Sequence, residues 1–375
     1  MNNRTPRLAA LALMLAALTA CTKTTISPND DLTNALNPSS GAPIAFESQD
    51  AFTKADDNTD PEAFMAVRAG GFKVWSWFQG TTSGPMFGEN GTVVTDANYV
   101  ADLQEGQTMP DPNWTYSPTR YWLNGTYDFA AVYPSTISGI TYEPASEGGA
   151  PVLNIPAFDV KGKDDLLVAF NNNINGSSRN NPVSLNFQHK LTKVNFRISQ
   201  SQNDADNDYY ISTVVISGVK NKRPYTASPV LDENGNISSL TEIWEESSDE
   251  ETISFEKVFN PPIRLKDPSL QNPFVDLTVW TEDDPLLLIP QHLDGSTMKL
   301  RVEYIYDMAG DEDGNGMSTF IEKAIPATNP DDELWQPGRH ITYTMTLAQQ
   351  TEIKFGIPTI EPWSQPLTGD IVIIP

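Results

Sequence analysis

The sequence contains a single cysteine among 375 residues, and this scarcity excludes two kinds of site. One thiol cannot form an intramolecular disulfide, and it cannot contribute to a zinc site built from several cysteines. Histidine is also scarce, because only His189, His292 and His340 occur, far apart and without a partner at metal-ligand spacing. We therefore expect no metal site and no cofactor.

Basic residues are few as well, since 24 Lys and Arg face 49 Asp and Glu and the formal net charge is −25. Such a surplus repels phosphate backbones, so nucleic acid is not an expected partner. The nucleophile elbow, the P-loop and the dinucleotide fingerprint are all missing. The many acids leave a carboxylate-pair glycosidase open, but no residue pattern favours one. We expect a protein that is not an enzyme.

The one cysteine follows a short apolar run at the N-terminus. Arg4 and Arg7 precede the run at residues 8–18, which ends in Leu-Thr-Ala-Cys at Cys21. A basic start, a short apolar run and small residues before the cut are typical of a secretory signal peptide, and the ending resembles a bacterial lipobox. The sequence predicts cleavage after Ala20 and acylation of Cys21, which would anchor the chain in a membrane. The alternative is an ordinary buried cysteine.

Long apolar runs are missing after Cys21, so no transmembrane segment is predicted. The length favours two domains. Residues 1–20 form the signal peptide, and residues 21–42, rich in Thr, Ser, Asn, Asp and Pro, are predicted to be a flexible tether. The Asn-rich stretch NNNINGSSRNNP (171–182) is the best candidate linker. We therefore predict an N-terminal domain over 43–176 and a C-terminal domain over 177–375.

Apolar and polar residues alternate in many short segments between Gly, Pro, Asn and Asp clusters. This period of two, enriched in β-branched and aromatic residues, predicts half-buried strands and an all-β fold. In residues 183–198 the apolar set changes from odd to even positions, which predicts a β-bulge near Thr192 and Lys193 or a strand that crosses between two sheets. The clearest segments lie at 44–46, 72–74, 127–133, 183–187, 298–306 and 341–347.

Four blocks in order resemble the fimbrillin family of Bacteroidales, the lipoprotein pilins and Mfa-like proteins of type V pili. They are YDFAAVYP (127–134), DLLVA (165–169), VSLNFQHKLTKV (183–194) and WQPG (335–338), with LIPQ (288–291) as a weaker fifth. The resemblance implies two tandem β-sandwich domains of transthyretin-like topology. It also implies a surface-exposed lipoprotein of the outer membrane, or a fimbrial location, with other pilus subunits as partners and a host or glycan ligand as a further one.

Type V pilins are assembled by donor-strand exchange, and the resemblance maps its parts onto this chain. A protease removes the N-terminal strand, here the one around Ile44 and Phe46, and a C-terminal strand of the next subunit fills the groove. The candidate processing site is Arg68, with Lys54 as a weaker one. The alternative for Arg68 is a surface charge in a loop.

The predicted donor is the terminal run Ile371, Val372, Ile373 and Ile374. Four consecutive β-branched residues at a chain end suit a strand that another sheet covers. The alternative is the last strand of their own domain.

Two further patterns are compatible with ligand binding, and each also has a purely structural explanation. Residues 311–322 match a calcium-loop pattern that ends in Glu322, but a strand precedes them and a polar hairpin tip explains them as well. Exposed tryptophans among Trp75, Trp77, Trp114 and Trp122 could stack on sugar rings, whereas buried ones would belong to a core. The rival function is accordingly a cell-surface glycan-binding lipoprotein that does not polymerise.

Overall fold

The computed structural model describes most of the chain after residue 30. The described residues are 31–38, 41–47, 61–104, 106–145, 149–160, 165–176, 181–204, 207–246, 251–277, 286–293, 295, 297–307, 316–328, 334–348, 352–362 and 371–374. Strands dominate them, which confirms the predicted all-β class. Within these ranges, no helix has the length and apolar character needed to cross a bilayer.

One α-helix and short 3-10 helices at Leu32–Leu36 and Gln202–Asp204 accompany the strands. The elements are β1 (Phe46–Glu47), α1 (Pro61–Gly70), β2 (Phe72–Gln79), β3 (Ser83–Pro85), β4 (Thr92–Asp96), β5 (Trp114–Thr115), β6 (Thr126–Tyr133), β7 (Thr141–Glu143), β8 (Val152–Asp159), β9 (Leu167–Asn175), β10 (Val183–Ser184) and β11 (Gln188–His189). They continue with β12 (Thr192–Gln200), β13 (Asp208–Lys220), β14 (Lys222–Leu231), β15 (Ile237–Glu245), β16 (Thr252–Arg264), β17 (Val275–Asp276), β18 (Leu286–Leu288), β19 (Lys299–Asp307), β20 (Met317–Ala324), β21 (Arg339–Ala348), β22 (Glu352–Phe355), β23 (Thr359–Pro362) and β24 (Ile371–Ile374).

These strands form four larger sheets and the parallel pair β1–β10. The N-terminal sheet has the order β11-β9-β6-β2-β4-β5, with β3 on β2, and the bridging sheet has the order β24-β15-β14-β8-β7. Two C-terminal sheets follow, β17-β12-β21-β22 with β18 and β23, and β16-β13-β19-β20.

Three apolar clusters lie between these layers. One face of the N-terminal sheet, with Phe72 and Phe129, is covered by residues 31–38 and 41–47, while the other face, with Trp75, packs on the bridging sheet. The third cluster lies between the two C-terminal sheets and contains Phe196 and Tyr343. The N-terminal sheet thus contributes to a core on each face, because its side chains alternate between the two.

The chain changes sheets where the apolar phase changes. Strand β11 ends at His189 in the N-terminal sheet, and β12 begins at Thr192 in a C-terminal sheet. This confirms the predicted crossing between sheets. His189 is buried and its Nδ1 lies 2.7 Å from Asp165 Oδ2, as expected for a packed, hydrogen-bonded histidine.

The bridging sheet combines strands from both sides of the predicted domain boundary. Strand β8 pairs antiparallel with β14, from Asp159 opposite Lys222 to Leu153 opposite Ala227. The first part of the predicted linker is also strand, because β9 extends to Asn175. The division at 176/177 stays a prediction.

Candidate functional site

The first described residues, 31–38 and 41–47, cover the aromatic face of the N-terminal sheet. Ala35, Ile44 and Phe46 are buried there, and the 3-10 helix Leu32–Leu36 begins after Asp31, whose side chain accepts a hydrogen bond from the Thr33 N–H. The described part of the predicted tether is therefore packed against the sheet.

The Phe46 ring lies in a groove formed by four other aromatic rings. The ring centroids lie between 5.6 and 6.2 Å from that of Phe46, and the four residues are Phe72, Phe87, Tyr116 and Phe129. Edge and tilted contacts of this kind add to the free energy of apolar burial. Removal of Phe46 would open an apolar slot in this sheet.

Backbone hydrogen bonds hold the segment on both sides. On one side the Ile44 N–H donates to the Arg120 carbonyl at 2.8 Å, and the Trp122 N–H donates to the Ala42 carbonyl at 2.9 Å. On the other side the Val183 N–H donates to the Ala45 carbonyl at 2.7 Å. The segment therefore behaves as a strand inserted between two neighbours, which is the geometry of β-augmentation.

Tyr116 contacts the segment through both its ring and its hydroxyl. Its hydroxyl donates to the Ile44 carbonyl at 2.7 Å, and burial raises the pKa of Tyr116 to about 12. The hydroxyl is therefore protonated, and able to donate this bond, throughout the physiological pH range.

Arg68, the predicted processing site, lies in the last turn of α1 and is 4% exposed. Its Nε donates to Asp96 Oδ2 at 2.6 Å and its Nη2 donates to the Pro110 carbonyl at 2.6 Å. Burial raises the pKa of Asp96, but the N–H groups of Asn113 and Asn98 together with the Arg68 guanidinium outweigh it and hold this pKa below its usual value. In this conformation a protease cannot reach Arg68 unless the end of the helix opens.

The predicted donor strand lies at the edge of the bridging sheet of its own chain. Strand β24 pairs parallel with β15, from Ile371 opposite Glu242 to Ile374 opposite Glu245. Val372 and Ile373 pair between them. This pairing corresponds to the alternative from the sequence, in which these residues complete a sheet of their own chain.

Other predicted residues are distant from this groove or outside the described ranges. Ala20, Cys21 and Lys54 lie outside them, as do residues 311–315 of the calcium-like loop. Glu322 lies on β20, in a hairpin with β19, and its Oε1 lies 3.2 Å from Lys299 Nζ. Among the described residues, no group of three or more His, Cys, Asp or Glu is arranged to hold a metal ion.

Sequence reasoning missed the aromatic walls of the groove. Phe87 and Tyr116 lie in connections outside the alternating strands, and the sequence contains no signal that links them to Phe46. Their aromatic side chains indicate that they could be buried, but not which residue they contact.

Comparisons with known proteins find a family profile and solved structures that are similar to this chain. A sequence profile described as fimbrillin-like matches residues 54–363. A fimbrial protein from Bacteroides vulgatus superimposes with a TM-score of 0.54 at 18% identity, covering 86% of this chain and 99% of that one. The tip fimbrial protein Mfa3 from Porphyromonas gingivalis has a TM-score of 0.33 at 7% identity, covering 80% and 96%. A search of curated proteins finds no match.

Proposed function

The chain belongs to the fimbrillin-like family, a family of pilus and adhesion proteins rather than enzymes, and we propose that it is a structural, tip or anchor component of a type V pilus. In this proposal it is exported as a lipoprotein, acylated at Cys21 and held at the outer membrane. It then joins other subunits by donor-strand exchange after N-terminal trimming.

The observation that carries the proposal is the aromatic groove that holds Phe46. A short strand lies over an aromatic surface, with backbone bonds on both sides and only two residues in regular pairing. Backbone groups and apolar pockets of this kind accept any extended segment with suitable alternate side chains. The run of β-branched residues at 371–374 is such a segment.

Two different cleavages test strand exchange. Trimming with an arginine-specific protease should release a fragment that ends at Arg68 and produce SDS-resistant ladders. Because Arg68 is buried, a second version carries the recognition sequence of a site-specific protease between Glu47 and Pro61. Cutting there should also produce ladders, and this result does not depend on the natural site.

Deletion of residues 370–375 is the matched control, since it removes the donor and leaves the groove intact. This variant should stay monomeric after either cleavage. If both cleaved proteins stay monomeric while residues 31–47 are released, strand exchange is wrong for this chain. If only the protein cut at the engineered site forms ladders, Arg68 is not the processing site, and strand exchange itself is retained.

The lipid anchor has a separate test. The wild-type chain should incorporate labelled palmitate and sediment with outer membranes, and Cys21→Ser should lose both properties, because acyl chains supply the membrane affinity. Equal labelling of the two proteins would contradict acylation at Cys21.

A further inference from the structure

A polar cleft lies on the opposite face of the N-terminal sheet, where the bridging sheet no longer covers it. Trp75 is buried beneath the bridging sheet, but Trp77, two residues further along the same face of β2, is only half-buried. Trp77 lines a cleft of about 730 Å³, with the β14–β15 turn at residues 231–235 as its opposite wall. Ligand sites in proteins commonly have volumes of this size.

Three neighbouring strands form the floor of the cleft. Trp77 and Gln79 lie on β2, Thr126 and Asp128 lie on β6, and Asn173 lies on β9. Trp77 is directly opposite Asp128 in the register of the two strands, and Gln79 Nε2 donates to Asp128 Oδ2 at 3.4 Å. An indole ring therefore stands beside a carboxylate and a primary amide.

A β-bulge fixes this arrangement. Tyr127 pairs with Ile174 and Phe129 pairs with Asn171, so two residues of β9 stand opposite Asp128 alone. One of them, Asn173, has a φ of 57°, and its backbone N–H donates to Asp128 Oδ1 at 3.0 Å. Bulges re-aim side chains and are common beside functional sites.

The bulge also ties the floor of the cleft to its wall. Asn173 Nδ2 donates to the Asn234 carbonyl in the β14–β15 turn at 3.1 Å. The two sides of the cleft are thereby held at a fixed separation, which lowers the entropy lost when a ligand binds.

The asparagine run of β9 borders two more cavities. Asn172 is 7% exposed and lines a cavity of about 280 Å³, and within the described part of the chain neither its Oδ1 nor its Nδ2 has a hydrogen-bond partner. An unpaired amide at such a buried position is uncommon. A third cavity, of about 710 Å³, shares Asn171 with the cavity of Asn172 and Asn173 with the cleft.

The chemistry of these walls fits sugar hydroxyls. Amide side chains both donate and accept hydrogen bonds, as ligands with many hydroxyl groups require. The electron-rich face of Trp77 suits the C–H face of a sugar ring.

Charge narrows the ligand class. Asp128 and Glu233 line the cleft, whereas no Lys or Arg is among the described residues that line any of the three cavities. Among the described residues of the cleft, a sialylated or sulfated glycan would meet two carboxylates and no cationic partner. We propose that this cleft binds neutral oligosaccharides, through Trp77, Gln79, Asp128 and Asn173.

A glycan array that carries neutral, sialylated and sulfated oligosaccharides is the first test. The untrimmed chain should bind neutral members and not the acidic ones, so the result does not depend on strand exchange. Binding to no neutral glycan, or preferential binding to acidic ones, would overturn the proposal.

Site variants are then titrated calorimetrically with the neutral oligosaccharide that binds best. Gln79→Ala should weaken binding about tenfold, because it removes one amide that bonds the ligand. Asn173→Gly should weaken binding at least as much, because it removes an amide of the floor together with its hydrogen bond to the opposite wall. Glycine accommodates the positive φ at position 173. Gln104→Ala, an exposed amide outside the cleft, is the matched control and should bind as the wild type does.

Trp77 receives two substitutions, because a half-buried indole also contributes to folding. Trp77→Ala should weaken binding more than tenfold, and Trp77→Phe should restore part of the affinity by stacking. Circular dichroism and the unfolding midpoint separate loss of stacking from loss of fold. Equal affinity of Gln79→Ala, Asn173→Gly and Gln104→Ala would reject the cleft as the binding site.

Discussion

The N-terminal cover, which is residues 31–38 and 41–47, and the two C-terminal sheets all bury apolar side chains. The number of paired backbone positions that hold them differs greatly. In the C-terminal region β12 and β21 pair in parallel at eight positions, from Lys193 opposite His340 to Gln200 opposite Leu347. At the N-terminus β1 pairs with β10 at two positions. Burial of an apolar side chain and anchoring of its backbone are therefore separate properties in this molecule.

This difference decides which part of the fold another segment can replace. Ile44 and Phe46 complete a core, yet few regular ladder bonds hold them. The C-terminal core cannot open without breaking whole strands, so we expect it to unfold only globally. Local opening at the N-terminus exposes a groove and leaves the other sheets in place.

The largest expected effect is in the C-terminal core. Phe196 is fully buried and stacks on Tyr343 with ring centroids 5.1 Å apart. Phe196→Ala should lower the free energy of unfolding by about 3–5 kcal/mol, because the cavity is closed on all sides. Urea unfolding measures the loss. Phe320→Ala should cost less, about 0.5–1 kcal/mol, because this ring is 52% exposed and its main specific contact is with Arg301, whose Cζ lies 3.9 Å from the ring centroid.

A smaller and more local effect is expected at the N-terminal cover. Phe46→Ala should destabilise the cover by about 3 kcal/mol. Hydrogen exchange should accelerate at the Trp122 and Val183 amides, which donate to residues 42 and 45, while the amides of β12 keep their protection. Equal acceleration in both regions would show that the cover and the C-terminal sheets unfold as one unit.

The smallest effect compares a buried ion pair with an exposed one. Asp96→Asn should cost about 2 kcal/mol at pH 7, because Asp96 is charged, buried and bonded to Arg68. Asp208, whose Oδ1 lies 2.7 Å from Nη2 of Arg264, is the exposed counterpart, and Asp208→Asn should leave stability unchanged within error.

The pH dependence of the unfolding free energy shows whether ionised Asp96 stabilises the fold. A lowered pKa means that ionised Asp96 stabilises the fold above about pH 4 and that this contribution disappears as the pH falls below its unfolded pKa. The wild type should therefore lose more stability on acidification than Asp96→Asn does. Parallel acid-unfolding curves would contradict this role of Asp96.

The strands could be predicted from the sequence, but their burial could not be predicted fully. Alternation in residues 127–133 predicted a half-buried strand, and β6 lies there. The structure also buries the intervening residues Ala130 and Val132, because the bridging sheet covers the second face. Local periodicity cannot reveal a layer whose strands include segments as distant along the chain as Lys222–Leu231 and Ile237–Glu245.

The site was predictable only in part, for the same reason. The resemblance indicated Ile44 and Phe46, but the ring partners of Phe46 come from distant segments. For Trp75 and Trp77 the sequence left exposure or burial open, and the extent of the bridging sheet decides which of them is buried. Arg68 looked like a loop charge because its partner, Asp96, lies 28 residues away.

In the proposed strand exchange, the parallel pairing of β24 with β15 would make two copies of one strand compete. Strand β24 is tethered to β15 within its own chain, so its effective concentration there is on the order of millimolar. Subunits free in solution are far more dilute, and a neighbour's groove must therefore bind the strand more tightly than the home edge does. Secreted subunits would consequently stay separate until an opened groove offers that tighter partner.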